Sequence, residues 1–505
     1  ALQRATYAGF AGLQALSPSP CMPYSASSGL NLGEGGAFLV LERVGHARER
    51  GAAIRAAVLG YGLSADAHHP TAPDPTGRGP IRAVREALDD AGIGVDDVDY
   101  VNGHGTGTPA NDRMERQVVG SLFGGRRPVP MSSTKSLVGH TLGASGAIEA
   151  IACAVAIEDG VLPPTANVPA DHAGDVDIVP NRSRPAPVSV ALSNNYAFGG
   201  NNASLILGAP SRARGRARAR RGRAVITGLG AVGAPGTGAA EWIERLLEAT
   251  PVRPAPVAVG DGEGEVPAVA LADLSPRGVV SPRAWRQMDN LSRQAVVAAR
   301  SAVADAGFRP DRDGALRTGV FFATGTGPGR VGTDFELGVL AAPQQPNLLM
   351  FPNTTLNAAA GHVCTALGFR GPTTTITTGG LSGLVALKYA ADTVAAGRAD
   401  AVLVVSSDEV YPTLLRMLRA VPGAVAPGCP RPYDRGADGT VLGEAAVGVL
   451  VESEAVAARR GATPYAEVAA TAITSQPCPP TRVSEDGRSL RRAMALRPQD
   501  AETRE

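Results

Sequence analysis

Val98-Asp-Tyr-Val-Asn-Gly-His-Gly-Thr-Gly-Thr-Pro-Ala-Asn-Asp112 and, further on, Ser132-Ser-Thr-Lys-Ser-Leu-Val-Gly-His-Thr-Leu-Gly-Ala-Ser-Gly146 are the two stretches from which the chain is best read. A short apolar run, Val98 to Val101, predicts a strand that delivers His104 onto a Gly/Thr turn. A second turn delivers His140 just before a helix. Two histidines on separate loops can converge on one small substrate group. Gly103, Gly105, Gly107, Gly139 and Gly143 allow backbone and ligand to approach closely. Both imidazoles then serve as hydrogen-bond donors or acid–base groups. On the residues alone, each histidine also fits a local turn role, and Lys135 between them fits a surface lysine.

The 505 residues are enough for two or three domains or one large one. A formal charge of +1 gives no global field for nucleic acid or an anionic membrane. Apolar content of 44% is globular, and aromatics at 4% leave small aliphatic side chains to fill the cores. Cys21, Cys153, Cys364, Cys429 and Cys478 form no CxxC pair and no metal-ligand spacing, which suggests free thiols in a reducing compartment. No signal peptide and no run long enough to span a bilayer is read, so the expectation is a cytoplasmic protein with no membrane partner.

His-Gly-Thr-Gly-Thr-Pro from His104, the Ser132–Gly146 stretch and Asn194-Asn-Tyr-Ala-Phe-Gly-Gly-Asn-Asn-Ala203 together resemble the C-terminal half of the β-ketoacyl synthases. These are the condensing enzymes of fatty-acid and polyketide assembly. The resemblance implies an α/β, thiolase-like layered αβαβα fold. It implies a decarboxylative Claisen condensation of malonyl-acyl carrier protein with an acyl thioester, and no cofactor, the substrates riding on the phosphopantetheine of the carrier protein. It gives His104 and His140 the malonyl thioester oxygen to bind, sets Lys135 near His140 and pairs it with Glu149, and makes Phe198 a gate whose backbone helps an oxyanion hole. Acyl carrier protein and a second ketosynthase-like unit, in a homo- or pseudo-dimer, are the implied partners. The turn Ser64 to Pro73 resembles the family's loop over the site mouth, with His68 and His69 as bordering or simply surface residues.

An internal repeat governs the rest. Leu32-Gly-Glu-Gly-Gly-Ala-Phe-Leu-Val-Leu-Glu42, read as a glycine loop feeding a buried strand, returns as Leu442-Gly-Glu-Ala-Ala-Val-Gly-Val-Leu-Val-Glu452 at an offset of 443 − 33 = 410. The same register pairs Gly51 with Gly461 and Gly77 with Gly487, while upstream of Gly29 it slips by one and pairs Tyr24 with Tyr433. Two incomplete tandem copies are therefore expected: residues 1–208 as the C-terminal part of a first unit, 209–223 as an Arg-rich linker, and 224–505 as the N-terminal and central part of a second. The linker is a basic tract with no aromatic or recognition element beside it, and a solvated tether is favoured over nucleic-acid binding.

In the second copy, Ala224 to Gly230 opens with a strand and a glycine turn, and Gly228 to Gly233 also fits a dinucleotide fingerprint. No helix follows directly and no acidic strand end lies about twenty residues on, so a nicotinamide site is set aside. Gly371 to Leu387 resembles the family's strand, sharp turn and buried helix, where active members carry a nucleophilic cysteine. Gly380 occupies that position. The second copy so resembles a chain-length factor, although those more typically carry glutamine there. The expectation is a ketosynthase/chain-length-factor fusion cut at both ends, with the first copy's cysteine upstream of Ala1 and this chain inactive alone. The alternatives are a non-catalytic chain-length-determining subunit and a circularly closed, inactive condensing-enzyme scaffold.

Overall fold

In the computed structural model, residues 2–125, 127–213, 222–248, 251–260, 262–476 and 486–495 are described. Cys478 and most of the Arg-rich linker, residues 214–221, lie outside them. Two compact units form. The first comprises Ala1–Arg218 and Asp334–Thr373, and the second Ala219–Thr333 and Thr374–Glu505.

The first unit is built on a five-stranded sheet: β1 (Ala57–Ala65), β2 (Tyr100–Asn102), β3 (Met131–Ser132), β4 (Val190–Ala197) and β5 (Asn201–Gly208), in the order β1-β5-β4-β2-β3. β2 runs parallel to β3 and β4, and β5 runs antiparallel to both β4 and β1. Its central strands carry runs of buried Val, Leu and Ile, because helices cover the sheet. Helix α2 (Arg78–Ala91) lies on β1 so closely that a Cβ on Gly62 would stand 2.0 Å from the Ala83 carbonyl oxygen, a contact only glycine permits. Helices α3 (Pro109–Phe123) and α4 (Ser145–Asp159) follow the two histidine loops. The predicted strand near residues 98–101 is present, and β4 and β5 take up most of the Asn194–Ala203 motif, leaving only the turn Phe198–Gly200 between them.

In α4 the residues Ile148, Ile151, Ala152 and Val155 recur at helical spacing, which predicts an inward apolar face, yet this face is not the buried one. Ile151 and Val155 are exposed, and Glu149, Cys153, Ala156 and Ile157 point inward. The helix is turned by its one buried ion pair, since a carboxylate without a partner would cost more than two aliphatic side chains gain.

Residues from the second half of the sequence complete this unit. Helix α6 (Ala358–Leu367) approaches the Phe198 turn so tightly that a Cβ on Gly361 would lie 2.6 Å from the Gly199 Cα. Phe351 packs edge-on against Phe10 at 5.1 Å between centroids, with Phe335 on its other side.

The second unit centres on a seven-stranded sheet containing β6 (Ala224–Gly233), β7 (Thr318–Ala323), β8 (Thr373–Ile376), β9 (Ala401–Asp408), β10 (Ala445–Ser453) and β11 (Ala466–Glu467), in the order β8-β7-β9-β10-β6-β11, with Gly236–Thr237 paired to β6. Helix α5 (Asn290–Asp305) lies against Gly228, Gly230 and Gly448, where side chains would meet its backbone. Helix α7 (Ser382–Ala395) buries Val385, Ala386, Ala390 and Val394 against the same sheet.

The repeat is visible in the backbone. Helix α1 (Val44–Glu49) and helix α8 (Glu454–Arg459) stand at the offset of 410, as do the left-handed glycines Gly51 (φ +69) and Gly461 (φ +70). Tyr24 (φ +65) and Tyr433 (φ +64) keep the same unusual conformation. One expectation fails: residues 33–43 form no strand, although their repeat β10 is a central strand paired to β9 and β6. A strand needs neighbours to satisfy its amides, and beyond Gly33, which donates to the His140 carbonyl, no strand pairs with this segment among the described residues.

Candidate active site

His104 sits at the end of β2 because the strand is buried and the chain must turn at Gly105 (φ +32) and Gly107 (φ +82). The turn is fixed from beneath. Glu115, in the second turn of α3, accepts the His104 and Gly105 amide protons at 2.8 Å each and the Tyr24 hydroxyl at 2.8 Å. Asp112 accepts the Tyr24 and Gly107 amides. Burial pushes the Glu115 carboxyl up to about 7, against the pull of those donors, and raises Asp112 also. Sequence reading missed Glu115 and Tyr24. The acid eleven residues after His104, on the buried face of a helix, was the available signal.

His140 follows Gly139 (φ +75), and its backbone pairs with residues 31–33. The rings of His104 and His140 lie edge to face, centroids 5.5 Å apart and planes at 88°. Lys135 is buried, forms an ion pair with Glu149, and its Nζ lies 3.2 Å from His104 Nδ1. The hydrogen bond of the lysine goes to His104, and its charge also acts on His140, near which it was expected. His140 Nδ1 accepts instead from the Leu142 amide at 3.3 Å and lies 3.2 Å from the Ser145 hydroxyl. A donor at Nδ1 of each ring puts the remaining proton on Nε2. Asn195 donates to Glu149 Oε2 at 2.8 Å and also hydrogen-bonds His104, closing the cluster.

Burial, and then the charge of Lys135, depress both histidines: His140 falls to about 3 and His104 goes well below its ordinary value. Both rings are thus neutral at pH 7. Two neutral N–H donors side by side suit an oxygen that gains negative charge during reaction, because they can stabilise it without first losing a proton.

Phe198 is half-buried, its ring 5.7 Å from that of Phe10. Its carbonyl accepts from Asn357 Nδ2 at 2.6 Å, and the Gly199 amide donates to the Pro70 carbonyl at 2.7 Å. The Ser64 to Pro73 loop therefore touches the Phe198 turn, while His68 and His69 are exposed and His69 Nδ1 accepts the Thr71 and Ala72 amides. Tyr196, which the sequence reading did not single out, packs its ring 5.5 Å from His104.

The thiols of the first unit are not poised. Cys21, Cys153 and Cys364 are buried and each is pushed upward by burial, Cys364 to about 12. In the second unit, Thr378 and Gly380 flank the left-handed Gly379 (φ +63) at the start of α7, with the Thr378 amide donated to the Ser382 hydroxyl at 2.8 Å. Nothing lies within 4 Å of where a Cβ on Gly380 would stand.

Residues 55–169 match the C-terminal domain of β-ketoacyl synthase, and residues 266–457 match its N-terminal domain, an inverted order. Over 196 residues the chain is 49% identical to nodulation protein E of Rhizobium sp. (strain N33), covering 38% of this chain and 48% of that protein. Over 214 residues it is 47% identical to 3-oxoacyl-[acyl-carrier-protein] synthase 2 of Rhizobium meliloti (strain 1021), covering 40% and 51%. The chain thus spans about half the length of these curated relatives. A solved structure described as PfaC keto synthase-chain length factor aligns over 93% of this chain and 56% of its own, with a TM-score of 0.73 and 18% identity, a likeness of fold alone. The fold is the thiolase-like one that the sequence led us to expect.

Proposed function

Since the chain carries both domains of the β-ketoacyl synthase family, C-terminal ahead of N-terminal, we propose that its first unit holds the malonyl-activating side of a decarboxylative condensation. The observation that carries this reading is the pair of neutral imidazoles, 5.5 Å apart, each with a donor at Nδ1. A malonyl thioester oxygen receives the two Nε2 protons as hydrogen bonds. The terminal carboxylate leaves as CO2, the electron pair moves into the enolate, and the enolate carbon attacks an acyl thioester, whose C–S bond breaks to release the thiolate that carried the acyl group. Lys135 and Glu149 hold His104 in the donor tautomer, and Phe198 flanks the entrance.

The acyl groups arrive on the phosphopantetheine of an acyl carrier protein, the reaction needs no cofactor, and the complete assembly is a homo- or pseudo-dimer of ketosynthase-like units in the cytoplasm. Among the described residues no helix is long and apolar enough to cross a membrane. A second reading, a non-catalytic cavity-shaping role for the second unit, is favoured by Gly380 standing where a nucleophile would be needed.

Release of CO2 from malonyl-carrier protein by the intact protein tests the first reading. His104→Ala or His140→Ala each lowers it by about a hundredfold, since one such donor is worth ~3 kcal/mol in the transition state. Unchanged release from both variants refutes the assignment.

A further inference from the structure

Tyr24 is held at both ends by one face of α3. Its amide donates to Asp112 Oδ2 at 2.9 Å and its hydroxyl to Glu115 Oε2 at 2.8 Å, two acids one helical turn apart. The grip keeps the residue in a left-handed backbone (φ +65), which a bulky side chain adopts only where its surroundings dictate it. The hydroxyl then lies against the two glycines that flank His104: a Cβ on Gly103 or on Gly105 would stand 2.5 Å or less from its oxygen.

Glu115 is fully buried. Its Oε1 takes the His104 amide, and its Oε2 takes the Gly105 amide together with the Tyr24 hydroxyl. A carboxylate can accept all three; a carboxylic acid cannot, because a proton on either oxygen points at a donor already there. Protonation therefore displaces at least one donor, and two of the three belong to the His104 turn. The groups facing this carboxyl are Tyr24, Asp112 from its own helix, Tyr196 from β4, and His104 from the turn with Lys135 behind it. Burial keeps both phenols and both imidazoles neutral, so Glu115, pushed up to about 7, changes charge near neutrality while they do not. The Tyr24 hydroxyl works against that rise, since a donor favours the ionised form.

We propose that Tyr24 is a positioning residue for His104, its hydroxyl keeping Glu115 ionised so that both amides of the turn stay anchored and the imidazole faces the malonyl oxygen. The role given to the imidazole rests on the reaction proposed above. The anchoring of the turn rests on the hydrogen bonds alone.

The two parts are tested separately on the full chain. His104-Gly105 is the one His–Gly step in the 505 residues, so carbon-13 at the histidine carbonyls with nitrogen-15 glycine isolates the Gly105 amide. In the parent that amide shifts with a midpoint near 7, following Glu115. Tyr24→Phe keeps the ring, loses the donor and moves the midpoint up by about one pH unit, while Glu115→Gln shows no titration. CO2 release from malonyl-carrier protein follows the same ionisation. Tyr24→Phe loses about fivefold at pH 7 and regains the parent's rate by about pH 9, a recovery that a loss of packing does not give. Glu115→Gln stays low at both. An amide that does not titrate in the parent, a midpoint unmoved by Tyr24→Phe, or a loss in Tyr24→Phe that is equal at both pH values overturns the proposal. An amide that titrates and moves as expected, while the parent releases no CO2 at any pH, upholds the anchoring and refutes the reaction.

Discussion

Replacing Lys135 by methionine removes the cation from a site where it and Glu149 are each 2% exposed in their side chains. Glu149 keeps only the Asn195 amide, and burial already raises its carboxyl when Lys135 is present. Breaking one member of a buried pair costs ~3–5 kcal/mol, because the remaining charge is stranded. The unit that holds the pair has 218 + 40 = 258 residues, a size at which each kcal/mol moves the melting temperature by about 2–4 °C. Lys135→Met should therefore melt about 6–20 °C below the parent by calorimetry. Adding Glu149→Gln, which removes the stranded charge, should recover most of the loss, so the two substitutions are strongly non-additive. Nitrogen-15 spectra should show His104 losing its fixed Nε2–H tautomer in Lys135→Met while His140, held by Leu142 and Ser145, keeps its own. A melting temperature within about 2 °C of the parent, or simple additivity in the double variant, refutes the reasoning.

Two further outcomes are expected. Glu115 has its folded carboxyl raised from 4.5 to about 7, so the folded state binds a proton that the unfolded state has released between those values; its contribution is fully present below about pH 4.5 and falls by about 2–3 kcal/mol as pH rises through 7. Glu115→Gln removes that dependence, and urea unfolding at pH 5 and pH 8 should show the variant gaining on the parent at the higher pH; an equal difference at both values contradicts it. Gly380→Cys places a thiol in open space at the start of α7, where the helix N-terminus favours thiolate. It should react with iodoacetamide about tenfold or more faster than the exposed Cys429, and equal rates would show that the turn does not activate the group.

What the sequence made legible was local. His104 and His140 stand on turns whose glycines need positive φ, and such turns are encoded by the residues that form them. The strand that opens the second copy at Ala224 is dense in small and β-branched residues over a short span, and it appears where it was expected. What escaped reading depends on partners distant in the chain. The inward face of α4 is decided by Lys135, ten residues before the helix begins, and not by the aliphatic periodicity of the helix. The role of Glu115 depends on Tyr24, ninety-one residues away. Residues 33–43 carry a strand's composition but no strand, because pairing is a property of two segments and composition a property of one. The interleaving of residues 334–373 with the first unit has no signature in the repeat at all.

Tyr24 is 1% exposed and Tyr433 is 107% exposed, yet their φ angles agree within a degree. The left-handed turn at this position persists whether it is wrapped in protein or bathed in solvent, while the strand that follows it in one copy is absent from the other. A turn of that kind carries its own bend from one context to another, whereas a strand takes its shape from its neighbours. Rearrangements that scramble the order of such halves then start from pieces that are already correctly bent, and selection has only to supply what surrounds them.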